Sequence, residues 1–324
     1  MIRAPTPPFV TLATPTVSGW AIPHGPVATD AAAVFMAGAA LNALDVLVRS
    51  DPPWAGAWRQ RLALRNAVAA VRLAGRIEDE AALRDVWNLR PPGADLSAIG
   101  PAGGILAAWR RLVSRVPELD ADMLAGIVDL FGLRWGEFFA SVADQVVHLV
   151  EDDDGRPAPY SAAAIVAYVY RARLDAEPLG WWLADLVLAR KLRWPRPVPL
   201  LMAQVFTPAF QTEGGRGIAT RIRPGEQNFE RAVCLALAHG ATEACRLGTE
   251  LGRRADRLLS VAPKLRAKGA GEAIEKLLDD DAVSGALVTK NLSRFASRRL
   301  FERLRTLDAV RELSGRSTFR LYGL

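Results

Sequence analysis

KNLSRFASRRLFERLRTLDAVRELSGRSTFRLYGL, residues 290–324, is the stretch that holds all of the chain's net positive charge. It contains nine Arg or Lys residues and three Asp or Glu residues, whereas the preceding 289 residues contain 32 of each sign. A net charge of +6 concentrated in one short segment predicts a polyanionic partner at the C-terminus. Duplex DNA is the first such partner to consider.

The first part of this stretch has the pattern of a helix with one buried side. Ser293 is a good helix N-cap because its hydroxyl can accept a hydrogen bond from a free first-turn N–H. From there, Leu300, Leu304 and Leu307 recur at helical spacing and predict a helix over Arg294–Leu307 with a buried stripe. Most of the arginines lie off that stripe, so the exposed face is predicted to be basic, as in a DNA-recognition helix.

The second part predicts a β-hairpin. Two short runs that contain β-forming residues, Ala309–Leu313 and Ser317–Tyr322, flank a turn with Gly315. They predict a two-stranded wing with Arg316 at its tip.

Two shorter helices are predicted upstream, over Gly271–Asp279 and Asp281–Val288. The order helix, helix, arginine-rich helix and hairpin is that of a winged helix-turn-helix, in which the third helix enters the major groove of DNA. We therefore predict this module for residues 270–324, with DNA contacts from six arginines. These are Arg294, Arg298, Arg299, Arg303, Arg316 and Arg320. The alternative is a basic helix and hairpin that pack on the body or on another protein.

The ending RRLFERLRTLDAVRELSGRSTFRLYGL resembles the C-terminal winged helix-turn-helix of Fic-type proteins and of a related rhizobial plasmid family. The resemblance lies in the leucines of the helix and in the hairpin pattern. The matching residues are Leu304, Leu307, Arg311, Glu312, Gly315, Arg316, Phe319 and Arg320. Asp308 departs from the pattern, which usually has Gly there, and Ser314 replaces Thr. The Fic catalytic signature begins with His-Pro-Phe, and none of the three histidines is followed by Pro, so adenylyl transfer is not implied.

Most of the chain, from about Val27 onward, is similar to a family of all-helical alphaproteobacterial proteins of about 320 residues. The segments WRQRLALRNA (58–67), GRIEDEAALRD (75–85) and APKLRAKGA (262–270) carry this resemblance, together with the same terminus. The family is known only as a domain of unknown function, so the resemblance implies no activity.

The hydrophobic composition and the positions of helix-breaking Pro and Gly residues predict a mainly α fold with an irregular multi-helix body. Half of the 324 residues are hydrophobic, which is enough for a large core. Residues 1–27 contain six prolines and are predicted to be an extended arm, and residues 28–269 to form the helical body. The predicted helices are Thr29–Arg49, Trp54–Leu73, Glu78–Leu89, Pro101–Val116, Asp120–Phe131, Trp135–Val150, Tyr160–Leu174, Gly180–Leu192, Glu230–Ala238 and Thr242–Leu259. No strand is predicted before the wing, and the glycine- and arginine-rich residues 207–228 are predicted to be a mobile loop.

Several classes of function are disfavoured by the sequence. Cys234 and Cys245 lie eleven residues apart without a Cys-x-x-Cys pair, so we predict no disulfide framework, no metal site and no cofactor. The N-terminus lacks the charged start and apolar run of a signal peptide. The longest uncharged apolar run, Ala31–Leu44, is shorter than the roughly 20 residues of a membrane span. We therefore expect a cytoplasmic protein with no membrane contact.

Three further patterns have two interpretations each. Gly214–Gly217 with Arg221 and Arg223 suits a phosphate site, although a solvated loop is favoured. The Trp181–Trp182 pair suits base stacking, although burial in the core is favoured. A basic stretch before the module either extends the phosphate-contact surface or is a solvated helix face. It comprises Arg253, Arg254, Arg257, Lys264, Arg266 and Lys268.

The sequence thus favours a DNA-binding protein, of the transcriptional regulator class, that uses the C-terminal module. In this interpretation the helical body senses a small-molecule effector of unknown identity or forms a homo-oligomer. A protein-interaction adaptor that uses the same module is the second interpretation. An enzyme with its site in the helical body is the third.

Overall fold

The computed structural model describes residues 14–25, 27–90, 99–114, 119–151, 155–213, 219–265, 267–314, 316 and 318–324. The fold is mainly α, as predicted. The helices are α1 (Asp30–Ser50), α2 (Ala55–Leu73), α3 (Glu80–Leu89), α4 (Gly100–Ser114), α5 (Ala121–Leu130), α6 (Glu137–Glu151), α7 (Ala158–Ala172), α8 (Glu177–Lys191), α9 (Phe229–Val261), α10 (Ala270–Asp279) and α11 (Arg294–Thr306). The strands are β1 (Gln211–Glu213), β2 (Ala219–Arg221), β3 (Val283–Ser284), β4 (Arg311–Glu312) and β5 (Leu321–Gly323).

Helices α1 and α9 form the most extensive helix pair, and α7 packs on α8 and α2 on α4. Helix α1 is long and apolar enough to cross a membrane by length and composition, with 39% of its most apolar window buried in the protein. Core helices of soluble proteins meet the same criterion. Its inner side packs on α9, and its outer side is exposed.

Helix α9 corrects the prediction of two helices over Glu230–Ala238 and Thr242–Leu259. It runs unbroken through Gly240, which lies between the two predicted helices. A Cβ at this position would lie 3.2 Å from the carbonyl oxygen of Leu200. The glycine therefore allows the 200 segment to approach the helix closely, and tertiary packing offsets its low helix propensity.

Helix α8 lies at the centre of the body and is buried from Glu177 to Ala189. Trp181 and Trp182 are fully buried, which confirms the core interpretation. Asp185 is fully buried as well, and its carboxylate accepts hydrogen bonds from the backbone N–H groups of Leu200 and Leu201. Burial raises the pKa of Asp185 well above its ordinary value, because the charged form loses its hydration.

The predicted mobile loop 207–228 contains a β-hairpin, so the prediction of no strand before the wing is wrong. Strands β1 and β2 pair antiparallel, with Gln211 opposite Arg221. The Arg221 guanidinium makes two hydrogen bonds of 2.7 and 2.9 Å to the buried Glu177 carboxylate of α8. This ion pair fixes the hairpin on the core. Gly214–Gly217, the proposed phosphate loop, lies outside the described residues.

The remaining elements, α10, α11 and β3 to β5, form the C-terminal unit, residues 270–324. Strand β5 lies between β3 and β4 and is antiparallel to both. The predicted wing is therefore part of a three-stranded sheet. The predicted helix Asp281–Val288 is absent, because Val283 and Ser284 pair with Tyr322 and Leu321 as strand β3. Within the described residues, this unit has the order helix, strand, helix, strand, strand.

Candidate nucleic-acid interface

Helix α11 begins as predicted at the Ser293 cap, whose Oγ accepts a hydrogen bond from the Ala296 N–H. Its inner side is held by Leu300, Phe301 and Leu304, all buried. The Phe301 ring stacks on Tyr322 of β5 at a centroid distance of 5.0 Å. The helix is thus fixed to the sheet on one side, and its other side faces solvent.

The solvent side of α11 carries arginines without acidic partners. Arg294, Arg298, Arg299 and Arg303 are exposed, and none of them makes an ion pair with a described residue. Four unneutralised guanidinium groups within three helical turns produce a strong positive potential. The structure therefore brings together four of the six predicted DNA contacts on one helix.

Glu302 is the acidic residue of this helix, and it is paired with other arginines. Its carboxylate lies 2.7 Å from the Arg305 guanidinium and 3.6 Å from that of Arg320. Arg320 also lies 3.7 Å from Glu312 of β4. Arg320, a predicted DNA contact, is therefore part of an ion-pair network between helix and wing, and its charge is largely offset.

A groove of about 470 Å³ lies beside the contact between α11 and the sheet. Arg298 and Glu302 line one wall, and Arg320 and Tyr322 line the other. Gly285 lies at its floor, where a Cβ would meet the Tyr322 ring at 2.8 Å. The groove thus places Arg298, which has no acidic partner among the described residues, beside the ion-paired Arg320.

Arg316, predicted at the wing tip, contacts the helical body. Its Nη2 lies 2.7 Å from Oδ2 of Asp85 in α3. The Arg316 side chain is 59% exposed and that of Asp85 is 14% exposed. The sequence placed Arg316 at the wing tip, but its spacing along the chain contains no signal for a partner 231 positions away.

Phe295 is a feature of this helix face that the sequence interpretation missed. Its side chain is 71% exposed, and it lies on the same side of α11 as Arg298 and Arg299. The signal was available, because Phe295 falls outside the Leu stripe by helical spacing. An exposed aromatic ring among arginines can contact an apolar group or a nucleobase face.

The end of α9 extends the basic surface. The Arg257 Nε donates a hydrogen bond of 3.2 Å to the Leu307 carbonyl at the end of α11, and Arg253 is exposed nearby along α9. Arg254 is paired with Glu250, at 2.8 Å. The predicted basic stretch before the module thus lies against α11 at Arg257. Arg266 of that stretch is outside the described residues.

The C-terminal unit is anchored to the body through two adjacent carboxylates. Asp281 is buried and pairs with Arg61 of α2 and Arg84 of α3, and Asp280 pairs with Arg110 of α4 at 2.9 Å. Burial favours the neutral form of Asp281, but the two guanidinium groups outweigh this effect and lower the pKa of its carboxyl. These ion pairs hold α11 in a fixed position on the body.

The other reactive residue types are poorly placed for chemistry. Burial raises the pKa of both Cys234 and Cys245 to about 12, so neither thiol is ionised near neutral pH. In the part of the chain that the structure describes, no three His, Cys, Asp or Glu side chains are grouped to hold a metal ion.

Comparison with known proteins gives one family. A family model described as "Protein of unknown function (DUF1403)" matches residues 10–324, nearly the whole chain. No curated protein and no solved structure matches the sequence. The description of the family does not mention Fic-type proteins or a winged helix, so that resemblance stays a prediction.

Proposed function

The chain belongs to the DUF1403 family, whose description assigns no activity, and we propose that it binds double-stranded DNA through the exposed face of α11. The observation that carries the proposal is the set of four exposed arginines on α11 that have no acidic partner among the described residues. Phosphate contacts by such arginines release counterions from DNA and drive association. If the chain binds DNA in this way, regulation of transcription is the class of function that we propose for it.

Two features of the C-terminal unit support a bound duplex. Helix α11 is fixed on one side by Phe301 and Tyr322, so its arginines are carried by an element whose backbone is already ordered before binding. A helix of 13 residues is about 20 Å long, and its width fits the major groove of about 12 Å. The arginines would then reach base edges or the flanking phosphates.

The absence of the second predicted helix limits the analogy with a helix-turn-helix. The segment after α10 forms β3 and a turn, and this places Val288, which is exposed, where a supporting helix was expected. The proposal therefore rests on the charge and exposure of α11 and not on the motif.

The test is binding of the full chain to a pool of random duplex DNA at two salt concentrations. If the four arginines contact phosphate, the logarithm of the affinity should fall against the logarithm of salt with a slope of about −3 to −4. Arg298→Ala or Arg299→Ala should weaken binding by about 1 to 3 kcal/mol if the residue contacts a base. A residue that contacts only phosphate should instead reduce the salt slope by about one.

Arg134→Ala is the matched control, because Arg134 is also an exposed arginine without a described ion pair and lies between α5 and α6. It should bind like the wild type. Equal losses in Arg134→Ala and Arg298→Ala would indicate a general charge effect and would contradict a specific role for α11.

A protein partner is the second candidate function, and Phe295 is the observation that favours it. A ring that is 71% exposed in the middle of a polar helix face can fill a pocket on another protein. If the full chain shows no salt-dependent binding to DNA, and Phe295→Ala abolishes capture of a protein from cell extract, this function replaces DNA binding.

A further inference from the structure

The outer side of α1 carries apolar residues where a surface helix normally carries charge. Apart from the terminal Asp30 and Ser50, its exposed residues fall on one stripe at helical spacing: Ala31, Phe35, Gly38, Asn42, Val46 and Arg49. The Phe35 side chain is 64% exposed and Val46 is 55% exposed. Between Asp30 and Asp45 the helix contains no charged residue. Helices that are apolar on all sides are normally covered on all sides.

The stripe is extended by Trp20, which is 60% exposed. Its ring stacks on Phe35 at a centroid distance of 5.5 Å and is carried by a short 3-10 helix, Gly19–Ala21. Two large aromatic rings at one end of the stripe therefore face solvent together. Exposed apolar patches of this kind mark sites of association.

The spacing of the stripe is symmetric about Asn42. The intervals from Phe35 to Gly38, Asn42, Val46 and Arg49 are three, four, four and three residues. If a second α1 is laid antiparallel across the first at Asn42, each large residue meets a complementary one. Val46 meets Gly38 of the second copy, where a Cβ would have no atom within 4 Å and space is open.

The antiparallel arrangement also gives each polar residue of the stripe a suitable partner in the second copy. Asn42 meets Asn42 of the second copy, and two amides related by a two-fold axis can each donate to the other's oxygen. Arg49 meets Phe35 of the second copy, with Trp20 beside it. The Arg49 guanidinium is held by the Asp45 carboxylate and by the Leu192 carbonyl, yet the side chain is 52% exposed, so an aromatic ring of the second copy can lie over its open face.

We propose that the outer face of α1 is a homodimer interface in which two copies of the chain pack antiparallel about Asn42. The occupant is a second copy because the sizes, the amide and the cation–aromatic pair are all self-complementary in a single register. This inference is independent of DNA binding and concerns a different surface of the protein.

The area of the outer face of α1 bears on how strongly two copies should associate. Helix α1 has 21 residues and is about 31 Å long and about 10 Å wide, so two such faces cover roughly 600 Å², to which the two Trp20 rings add. This is below the roughly 1,200 to 2,000 Å² of stable specific interfaces, so the dimer should be weak, with a Kd on the order of 1 to 100 μM. The equilibrium between monomer and dimer is therefore measurable in solution.

The first test is sedimentation of the full chain over that concentration range. The wild type should form dimers, and Phe35→Glu should weaken association at least about tenfold, because a charge replaces a buried ring. Leu174→Glu is the matched control, since Leu174 is equally exposed, at 68%, but lies at the end of α7. A monomeric wild type, or equal loss in both variants, would overturn the proposal.

The second test is disulfide cross-linking, which shows which residues of the two helices meet. It does not depend on a variant that destabilises the interface. Both native cysteines are buried, so an introduced thiol is the accessible one. Asn42→Cys should give a disulfide-linked dimer on mild oxidation, because the two positions meet at the axis. Gly38→Cys should not, because the two copies of that residue lie roughly 12 Å apart along the helices. The reverse result would contradict the register.

Two other occupants of the face give distinct outcomes. If the wild type sediments as a monomer but binds phosphatidylcholine vesicles, and Phe35→Glu abolishes that binding, the face contacts lipid. If dimers form only after residues 1–13 are removed, those residues cover the face in the full chain. Either result would replace the proposed homodimer.

Discussion

Asp281 shows how one buried charge joins distant parts of the chain. Its carboxylate pairs with Arg61 and Arg84, which come from two helices more than 190 positions earlier in the sequence. Asp281 follows α10 directly, so it fixes where the C-terminal unit leaves the body. The sequence showed only three consecutive aspartates, residues 279–281, at the end of a predicted helix and gave no indication of these partners.

The Asp281→Asn variant should be strongly destabilised. It leaves two guanidinium groups without their carboxylate, and breaking a buried ion pair costs about 3 to 5 kcal/mol. Urea denaturation at neutral pH measures this loss. Asp256→Asn, which changes an exposed residue of α9, should shift the free energy of unfolding by less than about 0.5 kcal/mol. Equal stability of the two variants would contradict the role of Asp281.

The same ion pairs give the wild type an acid-sensitive component of stability. The folded-state pKa of Asp281 is lowered, so its contribution is complete above the ordinary carboxyl pKa of about 3.9 and is lost as the pH falls through the folded-state value. In Asp281→Asn this component should be missing, so stability should fall less steeply with acidification below about pH 4.

At the level of single elements, α11 agrees best with the sequence. Its bounds, its Ser293 cap and its buried leucines follow from local rules of capping and spacing. The wing agrees less well, since its strands β4 and β5 are joined by β3 from a segment predicted to be helical. Strand pairing between Val283 and Tyr322 is a contact across 39 positions, and local pattern does not encode it.

Leu304→Ala tests the burial of the inner side of α11. Leu304 is fully buried, so removal of its methyl groups should destabilise the protein by about 2 to 5 kcal/mol through lost burial and a cavity. Thermal unfolding followed by circular dichroism measures the change. Thr306→Ala, at an exposed position of the same helix, should behave nearly like the wild type. An unchanged melting temperature in Leu304→Ala would show that the helix does not pack as described.

Helix α9 shows why a glycine is an ambiguous sign of a helix end when only the sequence is considered. A glycine such as Gly240 ends a helix when the chain is free to turn, but it also permits close packing inside a helix when a neighbouring segment approaches. The distance from this position to the Leu200 carbonyl decides between the two. That distance is a property of the tertiary structure only.

At the scale of the whole molecule, the contact between Arg316 and Asp85 connects the wing to the body. If the chain binds DNA as proposed, Asp85 competes with phosphate for this arginine. An exposed ion pair is worth about 0.2 to 1 kcal/mol, so Asp85→Asn should raise DNA affinity by at most about 5-fold. Fluorescence anisotropy with a labelled duplex measures the difference.

The control for Asp85→Asn must remove one negative charge at an exposed position elsewhere in the chain. Asp144→Asn does so on α6, where Asp144 is exposed and has no described ion pair. It should change affinity less than Asp85→Asn. The gain in DNA affinity from Asp85→Asn should also vanish when Arg316 is absent. The double variant Asp85→Asn, Arg316→Ala should therefore bind DNA like Arg316→Ala alone. A gain that persists there would mean that Asp85 acts by general electrostatics and not through Arg316.

The sequence by itself determined the helical class, the position and cap of α11, and the concentration of charge at the C-terminus. Each of these depends on residues within a few turns of one another, where spacing and capping act. Tertiary structure alone decided which arginines are free and which are paired, because Arg298 and Arg316 have the same side chain and differ only in what lies beside them. It also decided that, within the described residues, the apolar outer face of α1 has no covering segment, because helical spacing sorts residues by face but does not say which faces pack against a neighbour.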